Sequence, residues 1–443
     1  MFGLAILLIL NGCGDRDATQ AVEFGKAATL RELPDPCILA LSPHQGSDAT
    51  DLNIRHYQTL AANTPDVTAQ LERLGWAYVA KARASFDPGY YKLAEATALC
   101  LESKIPGSLD ALLLRGHALH NMHRFDDAER LARQSVSGRG SWFDYALLGD
   151  VLADKGRLSE AVEAYQTMMD QRPGPEAYNR AANLRWLKGD LDGAIELMRL
   201  SVSAGGVDHE AAAWALVRLA GYEFQAQNSD RALSLVNQAL ARRTDYPPAR
   251  LLQGKILLDR HQYDDALACL QTAARLNPLP EFLWTLIEAL IAAGKHDEAT
   301  NVEAQIMTRG EIDDQRTFVL YLATNGLEVE RAVKLAKEEL IIRQDVFTLD
   351  AMAWSLRAAG QINQAYDFSR SALAEGTRDA RLFYHAGVIA NELGHDDEAG
   401  KLLAAAADLR HLLFPSERSA LDNFLSARQA QKPHLAATAP ALH

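Results

Sequence analysis

An alanine recurs along the chain at almost constant spacing, and this repeat constrains the fold more than any other feature. Successive members are 33 or 34 residues apart, except for one gap of 38 that carries an insertion near Ala204-Gly205-Gly206. Such a gap is the kind of extension that a loop between units tolerates. The recurring residues are Ala94, Ala128, Ala161, Ala194, Ala232, Ala266, Ala299, Ala332, Ala365 and Ala399. The 443 residues therefore predict about ten small units instead of three ordinary domains.

Each unit reads as two helices joined by a tight turn. Twelve residues before the alanine, eight of ten units have Gly or Ala, which lets the two helices approach closely. Five residues before it, five units have a glycine at the place where the first helix must end through a left-handed residue. His123 and His261 occupy this place in their own units, which assigns them a turn role. Two residues before the alanine, eight units have Asp, Ser or Asn, which we expect to be N-caps of the second helix.

This pattern resembles the tetratricopeptide repeat, which has a small residue at position 8, alanine at 20, an aromatic or aliphatic at 24 and often proline at 32. Pro106 and Pro278 stand at position 32, and Tyr165 at position 24. The match covers residues 75–408. It implies an all-α, right-handed superhelical solenoid of about ten helix-turn-helix units. Ankyrin and HEAT repeats do not fit, because the first has another signature and the second a longer period.

The flanks predict caps for the two ends of the solenoid, because a terminal repeat must cover its exposed apolar face. Residues 51–74 form the N-terminal capping region, with one helix over 51–62. A second capping helix is expected within 409–430, beginning near Pro415. The tail, residues 431–443, should be disordered.

The N-terminus resembles a bacterial lipoprotein signal peptide. The apolar run Phe2–Leu10 has the length of a signal-peptide core, and Leu10-Asn11-Gly12-Cys13 is similar to a lipobox. Asn11 and the lack of a preceding Lys or Arg depart from that pattern, and a buried apolar segment is the alternative. The resemblance implies a signal peptide over 1–12, lipidation of Cys13, a tether over 13–50 and a lipid-anchored location in the bacterial cell envelope, on a periplasmic or extracytoplasmic face.

Three further cysteines, Cys37, Cys100 and Cys269, are expected to be buried thiols. Five repeats separate Cys100 from Cys269, too far for a disulfide. A Cys37–Cys100 bridge is compatible with the repeat pattern, although nothing in the sequence requires it.

Nothing in the sequence requires an enzyme or a cofactor. Phosphate-binding loops, nucleophile elbows and His-Glu-x-x-His motifs are missing from the sequence. Paired carboxylates such as Asp126/Asp127 recur with the fold and are expected to serve the helix starts. His117 and His120 share one helical face and are weak metal candidates without a third ligand. The net charge of −13 argues against nucleic acid, which requires clustered basic side chains.

The expected functional surface is the concave groove, which the first helices of tetratricopeptide repeats line. Asparagines can pair with a ligand backbone, and aromatic and arginine side chains are frequent contact anchors. The groove positions that the resemblance assigns are Asp150, Asp154, Asn179, Asn183, Trp186, Trp214, Phe224, Tyr321, Asp350, Trp354, Arg357, Tyr384 and Asn391.

The predicted function is a protein-interaction scaffold, or an assembly or chaperone-type adaptor, of the cell envelope. Its partner would be an extended peptide or a helix of another protein bound in the groove, and its membrane contact a lipid anchor. The alternative is a regulator whose superhelix closes around a small molecule or a signalling peptide. The two differ in whether a ligand stabilises the purified chain.

Overall fold

The computed structural model of the chain describes residues 35–64, 67–205 and 209–436. These ranges form 23 α-helices and one short 3₁₀ turn and contain no strand, so the all-α prediction is confirmed. The predicted signal peptide, Cys13 and the tether up to residue 34 lie outside the described residues, as do residues 437–443 of the tail.

Two helices precede ten helical hairpins, which we number repeats 1 to 10. The first two are α1 (Pro36–Ala40) and α2 (Ala49–Asn63). The hairpins, in chain order, are α3 (Thr68–Ser85) with α4 (Gly89–Lys104), α5 (Leu109–Asn121) with α6 (Phe125–Gly138), α7 (Trp142–Asp154) with α8 (Leu158–Gln171), α9 (Pro175–Leu187) with α10 (Leu191–Ala204), α11 (His209–Gln225) with α12 (Ser229–Arg242), α13 (Pro247–Asp259) with α14 (Tyr263–Leu276), α15 (Pro280–Ala292) with α16 (His296–Asp313), α17 (Gln315–Asn325) with α18 (Val329–Ile342), α19 (Val346–Ala358) with α20 (Ile362–Leu373), and α21 (Ala380–Glu392) with α22 (Asp396–Asp408). The 3₁₀ turn Arg410–Leu412 and helix α23 (Pro415–Ala436) follow.

A tight corner joins the two helices of a repeat, and one of its residues has left-handed backbone. Gly156 has φ 80°, and His123 and His261 each have φ 58°, as their sequence position predicts. The backbone N–H groups of the corner then donate to carbonyl oxygens of the first helix. Gly156 N donates to Ala153 O at 3.0 Å, and Arg157 N donates to Leu152 O at 2.9 Å. These bonds satisfy carbonyls that the end of the first helix would otherwise leave without donors.

The predicted N-cap role of the Asp, Ser and Asn residues is wrong by two positions. Helix α8 has Arg157 at its N-cap, and Ser159 stands in its first turn. Among the second helices of the ten described repeats, α10 alone has a side-chain cap bond, in which Asp190 accepts from Gly193 N. Because of the backward bonds of the corner, the residue directly after the left-handed one becomes the N-cap of the second helix. The acids therefore stabilise the positive end of the helix from within its first turn.

The recurring small residues hold each hairpin together. All ten recurring alanines are buried, and none is more than 5% exposed. A β-carbon added to Gly387 would lie 2.8 Å from Leu403 Cγ, so the glycine makes room for the side chain four residues after the alanine. The close approach that the sequence predicts thus has a packing cause.

The first helices form the inner layer of the superhelix. Successive first helices, such as α17, α19 and α21, pack against one another more closely than successive second helices do. This is the geometry of a ribbon curved toward its first helices.

The superhelix is wound so tightly that successive turns touch along a continuous seam. The corners of repeats 1, 3, 4 and 5 contact linkers, or the segment after repeat 10, that lie 153 to 190 residues further along the chain. We define the seam by its contact pairs, which are Ala84 with Arg243, Phe86 with Tyr246, Lys155 with Gln344, Leu187 with Thr377, Lys188 with Glu375, Gln225 with Arg378, Gln227 with Asp408, and Phe224 with His411. At about 34 residues per repeat, one superhelical turn therefore takes about five repeats.

The N-terminal flank is stapled to repeat 1. Cys37 in α1 forms a disulfide with Cys100 in α4, with the two Cα atoms 4.8 Å apart. The expectation of buried free thiols is therefore wrong for this pair, because α1 packs directly on α4. Residues 35–50, the end of the predicted tether, belong to the folded body for the same reason. Cys269 is free.

The capping helices are present with longer bounds than expected. Helix α2 packs on α3 as the predicted N-terminal cap. Helix α23 continues to Ala436, so residues 431–436 of the predicted tail are helical. Within the described ranges, every helix is too short or too polar to span a bilayer.

Candidate partner-binding surface

The predicted groove residues lie on first helices, but packing between neighbouring repeats buries the C-terminal ones. Tyr321, Asp350, Trp354 and Tyr384 are buried, and Trp354 is only 3% exposed. These four side chains are therefore interior groups of the second superhelical turn.

Four of the predicted residues come together around His385, which the sequence reading missed. The ring of His385 stacks on Trp354 with centroids 3.9 Å apart, and its Nδ1 lies 2.9 Å from Asp350 Oδ2. Tyr384 packs against the same tryptophan, and the guanidinium of Arg357 lies 4.6 Å from the tryptophan ring centroid. Because the position falls outside the family's contact register, no sequence signal marked His385.

The remaining predicted positions hold repeats and turns together. Asn179 accepts from Ser201 Oγ, and Asn183 accepts from Arg218. Trp186 Nε1 donates to Gln225 Oε1 at 2.6 Å, and its ring stacks on a phenylalanine of repeat 9. At the other end, Tyr321 donates to Glu303 and Asn391 accepts from Arg428. These polar groups already have partners within the chain.

His117 and His120 lie on the inner layer without forming a metal site. His117 is 6% exposed, and burial places its pKa well below the ordinary value. His120 Nε2 lies 2.7 Å from Asp154 Oδ2. Burial lowers the pKa of His120, but the hydrogen bond and charge of Asp154 outweigh it and raise the pKa above normal. The part of the chain that the structure describes holds no group of three or more His, Cys, Asp or Glu side chains suited to a metal.

An aromatic ladder on the first three repeats was not predicted. Trp76 packs against Phe143 with ring centroids 5.1 Å apart, and Phe143 packs against Trp142 at the same distance. Arg172 extends the ladder over Trp142 at 4.3 Å, and His117 packs on its other end. All three aromatic rings are half-buried. Trp76 and Phe143 stand at repeat position 2, so the register could have identified them.

A cavity of about 310 Å³ lies inside the second superhelical turn. One wall is apolar and includes Leu252, Leu320 and Phe347. The other wall carries charge, with Lys255 bound to Glu281 at 2.6 Å beside Arg381. The cavity is closed on one side by the segment His411–Phe414.

The chain's own C-terminal segment enters the concave side of repeats 7 to 10. Phe414 packs on Trp284 with centroids 4.9 Å apart. Ser416 Oγ donates to Glu288 Oε1 at 2.7 Å. Glu417 accepts two hydrogen bonds from Arg381, at 2.7 and 3.1 Å. This half of the groove is therefore occupied.

Ten stacked helical hairpins with these small-residue contacts can be compared with known families. Residues 146–209 and 251–302, in repeats 3 to 4 and 6 to 7, match the family model described as tetratricopeptide repeat. The fold is a tetratricopeptide-repeat solenoid. Tetratricopeptide repeats are typical of non-catalytic scaffolds that bind other proteins. No curated protein matches the chain in sequence.

Several solved structures are similar to the chain. The crystal structure of yeast Tom70 is 14% identical, over 87% of this chain and 93% of that one, with a TM-score of 0.37. The human IFIT1 dimer with m7Gppp-AAAA is 13% identical, over 85% and 94%, with a TM-score of 0.46. Pseudomonas aeruginosa pilF is 15% identical, over 49% and 97%, with a TM-score of 0.39.

Proposed function

We propose that this solenoid is a lipid-anchored interaction scaffold of the bacterial cell envelope. It binds an extended peptide or helix of another protein on its concave side, and lipid on Cys13 keeps it at a membrane, on a periplasmic or extracytoplasmic face. The exclusion of nucleic acid stays a prediction from the net charge.

The disulfide Cys37–Cys100 carries the proposal of an envelope location. Disulfides persist in oxidising compartments such as the bacterial periplasm and are rare in the cytosol. The bridge also lies close to the N-terminal end of the folded body, so it fastens the point where the proposed lipid anchor reaches the solenoid.

The proposed partner surface is the N-terminal half of the concave side. The aromatic ladder offers half-buried rings and a cationic edge, which are frequent anchors of protein interfaces. Trp214, in repeat 5, is 38% exposed on the same layer. In contrast, the C-terminal groove residues are buried and already paired.

Two substitutions and one control test the partner surface. Trp142→Ala removes the half-buried ring at the arginine end of the ladder, and Leu200→Ala removes a side chain that is 47% exposed on the second helix α10. A crosslinking pull-down from the native host should lose a specific partner with Trp142→Ala and retain it with Leu200→Ala. Equal recovery with both variants would exclude the ladder as the site.

The location has its own test. Cys13→Ser should release the protein from membranes into the soluble fraction. Thiol labelling of whole cells should find Cys37 and Cys100 oxidised. Detergent dependence that survives the substitution, or reactive thiols at these two positions, would contradict the proposed anchor or compartment.

A second candidate function, a regulator that senses a small molecule or signalling peptide, is favoured by the partly open cavity in the second superhelical turn. Its volume of about 310 Å³ is at the lower end of small-molecule sites. A ligand held there should raise the Tm of the purified chain at concentrations near its Kd. A metabolite screen without any Tm shift would count against this function.

A further inference from the structure

The segment that enters the concave side of repeats 7 to 10 is held in the way a bound peptide is held. Arg381 receives a carboxylate in a two-bond fork, which is the strong geometry for this ion pair. The same guanidinium lies 4.7 Å from the ring centroid of Phe414 and 4.9 Å from that of Trp284. Arg381 and Trp284 belong to different repeats, so the segment bridges them as a ligand would.

The first turn of α23 supplies the second recognition element. Ser416 N donates to Glu288 Oε2 at 3.2 Å, in addition to the hydroxyl bond to the same carboxylate. A carboxylate is favoured at a helix N-terminus, where amide groups are unpaired and the dipole is positive. Glu288 therefore recognises the start of a helix, and Arg381 recognises the acid in its first turn.

The segment leaves part of the site empty. The cavity of about 310 Å³ lies between His411–Phe414 and the apolar wall at Leu320 and Phe347. A ligand with a larger side chain would fill the space that the chain's own segment does not fill.

The outer part of α23 has few groups that hold it. Leu421 is fully buried, but residues 422–428 are half-buried or exposed. Arg428 bonds to Asn391, and Asp422 pairs with Arg410 at the surface. Displacement of the segment would also break the Arg418–Asp259 pair at 3.0 Å and expose the buried Leu413 and Leu421, so a partner must replace these contacts.

We propose that residues Phe414–Glu417 are a built-in ligand of a peptide site formed by Trp284, Glu288 and Arg381. The external ligand of this site is a partner segment with the same chemistry, an aromatic residue followed directly by the start of a helix with an acid in its first turn. The inference rests on the proposed scaffold function and names the class of partner. The partner binds by displacing the segment, so the C-terminal groove is closed until such a partner arrives.

A peptide added in trans tests the site in the full-length chain. The probe is a fluorescent synthetic peptide with the sequence of residues 411–428. Binding to the wild-type chain should be weak, because the attached segment competes at a high effective concentration. Glu417→Ala in the chain leaves Arg381 without its carboxylate, so the probe should bind this variant at least about tenfold more tightly by anisotropy. Asp422→Ala, which breaks an exposed pair on the same helix, is the control and should bind like the wild type.

The reciprocal changes show that the probe uses the proposed contacts. A probe with alanine in place of Glu417 should lose the gain, and so should Arg381→Ala in the Glu417→Ala chain. No binding to a Glu417→Ala chain that retains wild-type circular dichroism would overturn the proposal. Concentration-dependent dimers of that variant that the probe cannot dissociate would also overturn it, in favour of a second copy as the occupant.

Hydrogen exchange of the wild-type chain covers the case in which Glu417→Ala fails to fold. The amides of α23 should exchange faster than those of α22, as a separately opening unit. Equal protection of α23 and α22 would refute a displaceable segment. The outcome is independent of the Trp142→Ala pull-down, so failure of the peptide site leaves the scaffold proposal standing, and the reverse also holds.

Discussion

Replacing Gly189 with alanine should open the seam, because a β-carbon there meets the next superhelical turn. Gly189 has φ +81°, and an added Cβ would lie 2.5 Å from Gly376 O. Gly360 has a similar φ of +72°, but its added Cβ would have no atom within 4 Å. Gly360→Ala is therefore the matched control, since it brings the backbone strain without the seam contact.

The expected difference between the two variants is about 1–3 kcal/mol. Alanine in the left-handed region costs about 1–2 kcal/mol in both. Overpacking against a fixed backbone typically costs a further ~1–3 kcal/mol, and it falls only on Gly189→Ala. The adjacent hydrogen bond from Thr377 Oγ1 to Leu187 O is buried, so its loss would destabilise Gly189→Ala further.

Urea unfolding followed by circular dichroism measures the difference in free energy, and small-angle scattering measures the seam. Gly189→Ala should unfold at lower urea than Gly360→Ala and should have a larger radius of gyration. Equal unfolding midpoints with unchanged scattering would refute the claim that the seam contacts stabilise the fold.

Three further predictions concern stability. Cys100→Ser should lower the free energy of unfolding by about 4 kcal/mol, because the disulfide closes a span of 63 residues. Cys269→Ser is the control and should change this free energy little in the same denaturation series. Equal effects of the two substitutions would contradict the prediction. Burial alone would raise the pKa of Glu129, but Lys155 and two arginines hold it at about 2. Its stabilisation is thus complete above the ordinary value of 4.5 and is lost as the pH falls from there toward 2, so acid titration should destabilise the wild type more than Glu129→Gln. Trp354→Ala should cost about 3–5 kcal/mol in urea unfolding, and a loss under 1 kcal/mol would contradict its burial.

The hairpins could be predicted because their causes are local. The alanine spacing, the small residue before it and the left-handed corner each depend on contacts within one repeat. Gly156 and His123 have the backbone that their position requires. The sequence pattern places the N-cap of α8 at Ser159, but the structure has it at Arg157. The pattern does not reveal the backward backbone bonds of the corner, which fix where the second helix starts.

The winding could not be predicted, because it sums a small rotation over many repeats. No pattern around Lys155 indicates that Gln344 will contact it. The groove register still identified side chains of the inner layer, but the contacts of Trp354 with Thr324, Tyr384 and His385 from neighbouring repeats decide that its ring is buried. The disulfide could only be left as an alternative for a related reason, since Cys37 meets Cys100 only after α1 packs on α4.

The seam also changes how this solenoid should unfold. In an open repeat array each unit contacts only its neighbours, so stability is a sum of local terms and the ends fray independently. Here the corner of repeat 4 holds the linker before repeat 10 through Leu187 and Thr377, and the pair Lys188–Glu375 lies beside it. A substitution that destabilises repeat 4 should therefore also destabilise repeat 10 directly, without unfolding the five repeats between them. We expect the same coupling between the proposed N-terminal partner surface and the closed C-terminal groove, because both lie on inner helices whose corners and linkers contribute to the seam.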